Sequence, residues 1–190
     1  IGLSREQTLV RLLFKNCLHP CTIICRKSAL LSIGGFKQPK GIPCVDAPTW
    51  LELSLIGEFF PLDEILASYR KHDLQVSSTM KASMIKTGLY SLEFFSNLPE
   101  SAKDKLKEEV EDIEAELKSK KDLYYYRLGR AYLMERNWQE ARDCFFKAFH
   151  EDNPVSIKAK AVLGIIFSYC KIDMETVAHL HDKLSKESEN

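Results

Sequence analysis

The side chains of this chain that could do chemistry are concentrated in three short segments of its first eighty residues. They include a carboxylate, an aromatic ring, two cations and an imidazole, the groups that transfer protons, bind anions and ligate metals. Each segment alone is weak evidence, so their order and spacing carry the information. The segments read SALLSIGGF (28–36), VDAPTWLEL (45–53) and LASYRKH (66–72).

In order and spacing, these segments resemble the C-terminal part of the family 2 glycosyltransferases, which are inverting enzymes of the GT-A fold. In that family a Gly-Gly-Phe turn is followed by an acidic pair, a Trp-bearing helix and a strand that ends in Tyr-Arg-x-His. The resemblance covers roughly residues 15 to 80. It implies a nucleotide-sugar half N-terminal to these segments, so we expect this chain to be a C-terminal fragment of a longer protein.

The resemblance assigns the role of catalytic base to Asp46, four residues before Trp50. An inverting transferase needs a base beside the acceptor hydroxyl, to take its proton as the anomeric carbon is attacked. One position departs from the pattern, because Val45 stands where the family usually has Glu. The alternative role for Asp46 is structural, since an Asp before Ala-Pro is a good helix N-cap.

Further contacts are expected at other positions. The resemblance places the turn at Gly35 near the acceptor, and the flat apolar face of Trp50 could stack against a sugar. The positive charge of Arg70 or Lys71 could neutralise the donor diphosphate. His72 would ligate a divalent cation, Mn²⁺ or Mg²⁺, that is bound mainly by the missing N-terminal half. The alternatives are structural: a core position for Trp50, a turn at Gly35 that buries the following aromatic, and a strand end at His72.

A second constellation, Cys17-x-His19-x-Cys21-x3-Cys25, suggests a zinc site. A structural zinc site usually adds a second, matching Cys pair, which is missing here. Most of the six cysteines lie in apolar runs, which predicts reduced, buried thiols and a cytoplasmic protein. A zinc-stabilised adaptor remains an alternative.

The distribution of Pro and Gly divides the chain, because six of the seven Pro and six of the eight Gly precede residue 100. We therefore predict a mixed, turn-rich portion over 1–98, the acceptor-side part of the transferase domain, and a helical extension over 99–190. Hydrophobic periodicity and turn residues place the elements. Helices are predicted over 4–15, 26–33, 46–56, 78–96 and 101–120, and short strands over 21–25, 59–61 and 65–69.

Residues 122–155 match the tetratricopeptide repeat, a pair of helices with aromatic and small residues at fixed positions. The small residues let the two helices approach, and the aromatic residues fill the space between them. A turn is predicted at 135–138, and a weaker second pair at 163–167 and 173–184. The matching positions are Tyr125, Leu128, Gly129, Tyr132, Ala141, Phe145 and Ala148.

Composition and hydropathy argue against two classes of protein, nucleic-acid binders and membrane-spanning proteins. The net charge is zero, so the chain does not have the basic bias that is typical of nucleic-acid binders. No apolar run is long enough to span a membrane.

The expected fold is mainly α, with a small GT-A portion that contains a few strands, followed by tetratricopeptide-like hairpins. The expected function is transfer of a sugar from a nucleotide sugar to a saccharide, lipid-linked or protein acceptor, with the fragment alone inactive. The alternative is a non-catalytic helical-repeat module that binds a protein partner. The protein is expected in the cytoplasm, and peripheral attachment to a membrane surface is an alternative.

Overall fold

The computed structural model describes residues 3–15, 18–149 and 154–173, and over these residues the chain is mainly helical. It divides into two compact units, Ile1–Leu117 and Lys118–Asn190. The helices are α1 (Arg5–Phe14), α2 (Lys27–Ser32), α3 (Asp46–Ser54), α4 (Val76–Thr79), α5 (Lys81–Ser96), α6 (Glu100–Glu109), α7 (Ile113–Met134), α8 (Trp138–Ala148) and α9 (Val155–Cys170), with a 3-10 turn at Pro20–Thr22.

The first unit is organised around α1, whose start is fixed by its own sequence. The Ser4 hydroxyl accepts from the Gln7 N–H at 3.0 Å, and the Gln7 side chain accepts from the Ser4 N–H at 3.3 Å. This reciprocal capping box satisfies two backbone donors that the helix leaves unpaired, and it confirms the predicted start. The buried side of α1 packs against α3, α5 and α6, and α3 also packs against α5. The core of this unit includes Leu9, Leu12, Leu13, Trp50, Leu51, Leu92, Phe95 and Leu106.

The three predicted strands are not found in the described residues. Residues 20–22 form the 3-10 turn, and 65–69 are exposed and irregular. Within the described ranges, β pairing is limited to one isolated antiparallel bridge between Leu3 and Phe59. A single extended segment is stable only when a neighbouring strand pairs its N–H and C=O groups. The described part of the chain supplies no such neighbouring strand, so the alternating sequence at 65–69 does not form a sheet there.

Two predicted helices are divided. The 78–96 helix is interrupted at Met80, between α4 and α5. The 101–120 helix ends at Val110, where the backbone becomes extended (φ −141°, ψ 105°), and its second half belongs to the long helix α7. The apolar stripe survives the interruption, because Leu106, Ile113 and Leu117 are all buried.

In the second unit α7 and α8 are joined by a short turn, at the place where the sequence predicts one. The chain turns at 135–137, where Arg136 has a left-handed backbone (φ 58°) and the Asn137 N–H donates to the Tyr132 carbonyl at 2.8 Å. Phe145 of α8 is fully buried, and its ring lies against Gly129 of α7 and Gly164 of α9. The predicted close approach at Gly129 is therefore confirmed. Of the weaker second pair, 163–167 lies in α9, whereas 174–184 lies outside the described residues.

Candidate functional site

Asp46 is the first residue of α3, and a buried threonine fixes this end of the helix. The Thr49 hydroxyl donates to the Val45 carbonyl and accepts from the Lys37 N–H at 2.9 Å. The N-cap residue is Val45, and its side chain makes no capping bond. The prediction that Asp46 is the N-cap is therefore wrong by one position. Inside the first turn its carboxylate still benefits from the positive end of the helix dipole.

The Asp46 carboxylate is joined to α5 through a thiol. Cys44 hydrogen-bonds to the Asp46 side chain, and its Sγ lies 3.3 Å from the Thr87 Oγ1. A carboxylate only accepts, so the thiol donates its hydrogen to Asp46 and the Thr87 hydroxyl is left to donate to sulfur. Thr87 is itself buried, which fixes the far end of this chain of contacts. The result is a half-buried carboxylate whose position depends on two other side chains.

Partial burial, above all, raises the pKa of the Cys44 thiol above its ordinary value. The Thr87 hydrogen bond lowers that pKa, whereas the charge of Asp46 and its hydrogen bond to the thiol raise it. Cys44 is therefore a protonated hydrogen-bond donor at neutral pH. It is not an activated nucleophile, because nucleophilic cysteines need a lowered pKa.

Trp50 lies in the core, which is the structural alternative to its predicted contact with the acceptor. Its side chain is only 3% exposed, on the buried side of α3. A ring this deeply buried has no face open to a sugar, so in this structure Trp50 supports the helix that carries Asp46. Its proposed contact with the acceptor has no geometric support here.

Gly35 belongs to a turn that ends α2, as predicted. The Gly34 N–H donates to the Leu31 carbonyl and the Gly35 N–H to the Leu30 carbonyl, at 2.9 and 2.8 Å. Both glycines have a left-handed backbone (φ +83° and +87°), which residues with a Cβ adopt only at a cost. The expected burial of the next residue is wrong, because Phe36 is 59% exposed. The turn is therefore open to the surface on this side.

The basic segment that follows the Trp-bearing helix is exposed. Arg70, Lys71 and His72 lie in irregular structure, and Tyr69 packs its ring at 5.5 Å from the ring of His19. No group of three His, Cys, Asp or Glu side chains suited to a metal occurs among the described residues. His72 therefore lacks companions for a divalent cation in this part of the chain.

The Cys-His-Cys-Cys constellation at residues 17–25 also forms no metal site within the described residues. Cys17 lies outside them, and Cys21, His19 and Cys25 are not gathered into a ligand group. None of the five described cysteines forms a disulfide. The expectation of buried thiols is wrong for Cys21 and Cys170, which are exposed. The short apolar runs around these two residues therefore do not bury their thiols against the described part of the chain.

Sequence reasoning missed the two residues that hold Asp46. Cys44 is two positions before Asp46 in a loop, where no periodicity gives its direction. Thr87 is distant from Asp46 in sequence and lies in an amphipathic helix. A threonine on the buried side of such a helix is not distinguishable from an ordinary core residue. The only available signal is that Thr87 falls on the buried side of the predicted helix, which leaves its hydroxyl in need of a partner.

Comparisons with known proteins leave the family open: no family model matches this chain, and neither a curated protein nor a solved structure is significantly similar to it. The resemblance to family 2 glycosyltransferases accordingly remains a prediction from the three segments. Among the described residues, no helix has both the length and the apolar character required to span a membrane.

Proposed function

We propose that this chain is the acceptor-side portion of a nucleotide-sugar-dependent, inverting glycosyltransferase of the GT-A type, acting in the cytoplasm. The observation that carries the proposal is the order of the three segments together with the position of Asp46. This carboxylate stands at the start of a short helix, half-buried, with its position set by a hydrogen-bonded thiol. A general base requires this combination of access and fixed orientation.

In the proposed reaction, Asp46 accepts the proton of an acceptor hydroxyl. The hydroxyl oxygen forms a bond to the anomeric carbon of the donor sugar, while the bond from that carbon to the diphosphate oxygen breaks. The nucleoside diphosphate leaves with the electron pair, and Arg70 or Lys71 provides positive charge for it. Cys44 and Thr87 keep the carboxylate directed at the acceptor. The acceptor is a saccharide, a lipid-linked glycan or a protein.

Exposed apolar side chains between α3 and α4 give further support. In a folded protein, several large apolar residues exposed along one segment usually mark a surface that another part covers. In the proposed fold, this segment would pair with strands of the donor-binding half. The exposed residues are Phe60, Leu62, Ile65, Leu66 and Leu74, of which Ile65 is 98% exposed.

A second candidate is a non-catalytic helical-repeat module that binds a protein partner. The observation in its favour is the tightly packed second unit, in which Phe145 is enclosed by Gly129 and Gly164. Helical repeats commonly present surfaces to extended ligands. In this alternative the first unit would be a remnant without turnover, and Val45, in place of the usual Glu, would reflect that loss.

The deciding experiment uses the protein produced from its natural start. Wild type and Asp46→Asn are assayed for transfer and donor hydrolysis with a panel of nucleotide sugars, in the presence of Mn²⁺ or Mg²⁺. We expect Asp46→Asn to lose turnover by two to four orders of magnitude, roughly the usual contribution of a general base. Nucleotide binding, measured by calorimetry, should be retained.

Asp63→Asn is the matched control, because it makes the same change at an exposed position of the same unit. Equal turnover in Asp46→Asn and wild type would exclude Asp46 as the base. Absence of both turnover and nucleotide binding in the wild type would favour the interaction module.

A further inference from the structure

A mixed polar and aromatic cleft of about 540 Å³ lies in the first unit, between α3, α5 and the loop at 39–42. Its volume falls within the range of roughly 300 to 1,000 Å³ that is typical of small-molecule sites. One side of α5 forms most of the lining, through residues spaced three or four apart. These include Lys86, Tyr90, Glu93, Phe94 and Asn97.

Two aromatic rings line the cleft. Tyr90 and Phe94 are one helical turn apart, with ring centroids separated by 6.5 Å and planes inclined by 44°. Both side chains are half-buried, and the buried Ile42 also lines the cleft. The rings therefore keep part of their apolar surface open while their positions are fixed by packing. Such surfaces suit ligands that have flat patches of C–H groups.

Hydrogen-bonding groups lie beside the rings. Burial raises the pKa of the Tyr90 phenol first, and the nearby carboxylates of Glu52 and Glu93 raise it further. The phenol is consequently a firm O–H donor. The two carboxylates are acceptors, and the amide of Asn97 offers both functions. A ligand with several hydroxyl groups could find both donors and acceptors here.

The charge of the lining restricts the ligand class. Two carboxylates, Glu52 and Glu93, are balanced by two ammonium groups, Lys40 and Lys86. A strongly charged ligand, such as a nucleotide, gains no net attraction from a balanced set. A purely apolar ligand would strip water from four charged groups without replacing their hydrogen bonds, which is costly. The remaining class is neutral, rich in hydroxyl groups and partly apolar.

We propose that this cleft binds a neutral saccharide, with the rings of Tyr90 and Phe94 against its C–H faces and Glu52 and Glu93 accepting from its hydroxyls. Glu52 and Asp46 lie on the same short helix, about 9 Å apart along its axis. In the proposed transferase, this site would hold the acceptor sugar. Only this acceptor role rests on the proposed transferase function; saccharide binding by the cleft does not.

The test uses the 190-residue chain and requires no turnover. Saturation-transfer NMR and calorimetry would measure binding of methyl β-glucoside, methyl α-mannoside, methyl β-N-acetylglucosaminide and cellobiose. We expect saturable binding of at least one of them. Glu93→Gln should weaken it about tenfold, because it removes a charged acceptor. Phe94→Ala should weaken it by a similar factor. Glu93 is exposed, so Glu93→Gln tests the site without disturbing the core.

Matched controls lie in the second unit, where Glu140→Gln and Phe146→Ala change exposed residues of α8. Absence of saturable binding by the four probes, or equal binding in Glu93→Gln and wild type, would overturn the assignment of this cleft. Turnover by the full-length enzyme would in that case leave the transferase proposal standing. Conversely, if the chain binds a saccharide specifically but the full-length protein shows no turnover, the saccharide site is supported and the transferase proposal is refuted.

Discussion

Gly164 tests the packing of the second unit directly, because its environment reverses the usual effect of a glycine-to-alanine change. The Phe145 ring is fully buried and lies against Gly129 and Gly164. A Cβ atom at residue 129 would lie 2.9 Å from the ring, and one at residue 164 would lie closer still. Carbon atoms pack at about 3.5 to 4 Å, so an alanine at either position must displace the ring.

Two opposing effects set the magnitude for Gly164→Ala. Replacing glycine by alanine inside a helix normally stabilises a protein by about 0.5 to 1 kcal/mol, because the unfolded chain loses freedom. Overpacking a close-packed core costs about 1 to 3 kcal/mol. Since the ring is enclosed on both sides, we expect the overpacking cost to exceed the gain. The net loss should be about 1 to 2 kcal/mol, or a fall in Tm of about 4 to 8 °C for each kcal/mol in a unit of this size.

The assay is thermal unfolding of the whole chain, together with amide hydrogen exchange in α8 and α9 to attribute the change to the second unit. Gly57→Ala is the matched control, because the nearest atom to its added Cβ would be the Leu53 carbonyl oxygen, at 3.9 Å. Gly57→Ala should therefore be neutral or slightly stabilising.

A double-mutant cycle with Phe145→Leu isolates the contact. Once the ring is replaced by a smaller side chain, Gly164→Ala should cost much less, with a coupling of about 0.5 to 3 kcal/mol. A rise in Tm for Gly164→Ala in the wild-type background would refute this account. So would additive effects in the cycle, because the ring would then not be the cause.

Four other expectations can be measured. Ser4→Ala should destabilise the first unit by about 1 kcal/mol, measured by urea unfolding, because it removes the N-cap of α1. Gly34→Ala should cost about 1 to 2 kcal/mol in the same assay, since residue 34 has a left-handed backbone. Alkylation followed by mass spectrometry should label the exposed Cys170 first, then Cys44, and the buried Cys144 last. Because the pKa of Cys44 is raised on folding, its contribution to stability is complete below the unfolded thiol pKa and is lost as the pH rises through the folded value. Unfolding of the wild type and Cys44→Ala across alkaline pH measures that loss.

The elements that sequence predicted well are those whose ends are encoded locally. Ser4 with Gln7 marks the start of α1, and Gly34-Gly35 marks the end of α2. In both cases the residues that decide the structure lie within one or two turns of each other. The helix–turn–helix over 122–148 was predicted from a different signal, small and aromatic residues at fixed separations along two adjacent helices.

The elements that sequence misplaced depend on distant partners or on a local choice that has no marker. The 65–69 segment alternates like a strand, but alternation does not reveal whether a neighbouring strand exists. At Val110 the apolar stripe continues without interruption, and neither Pro nor Gly marks the change of direction. An ion pair between Lys107 and Glu114, at 3.1 Å, connects the two sides of the break. Its formation follows from the bend and could not predict it.

The candidate site shows the same limit in its chemistry. The three segments that resemble a transferase end at His72, whereas Thr87, which contacts Cys44, lies on α5. The saccharide cleft also depends on α5, through the side that carries Tyr90 and Phe94. One helix therefore supports the proposed base through Thr87 and lines the proposed acceptor site. A chain that kept all three segments but lacked α5 would retain the motif and lose the arrangement, so the function proposed here depends on a helix that the resemblance does not include.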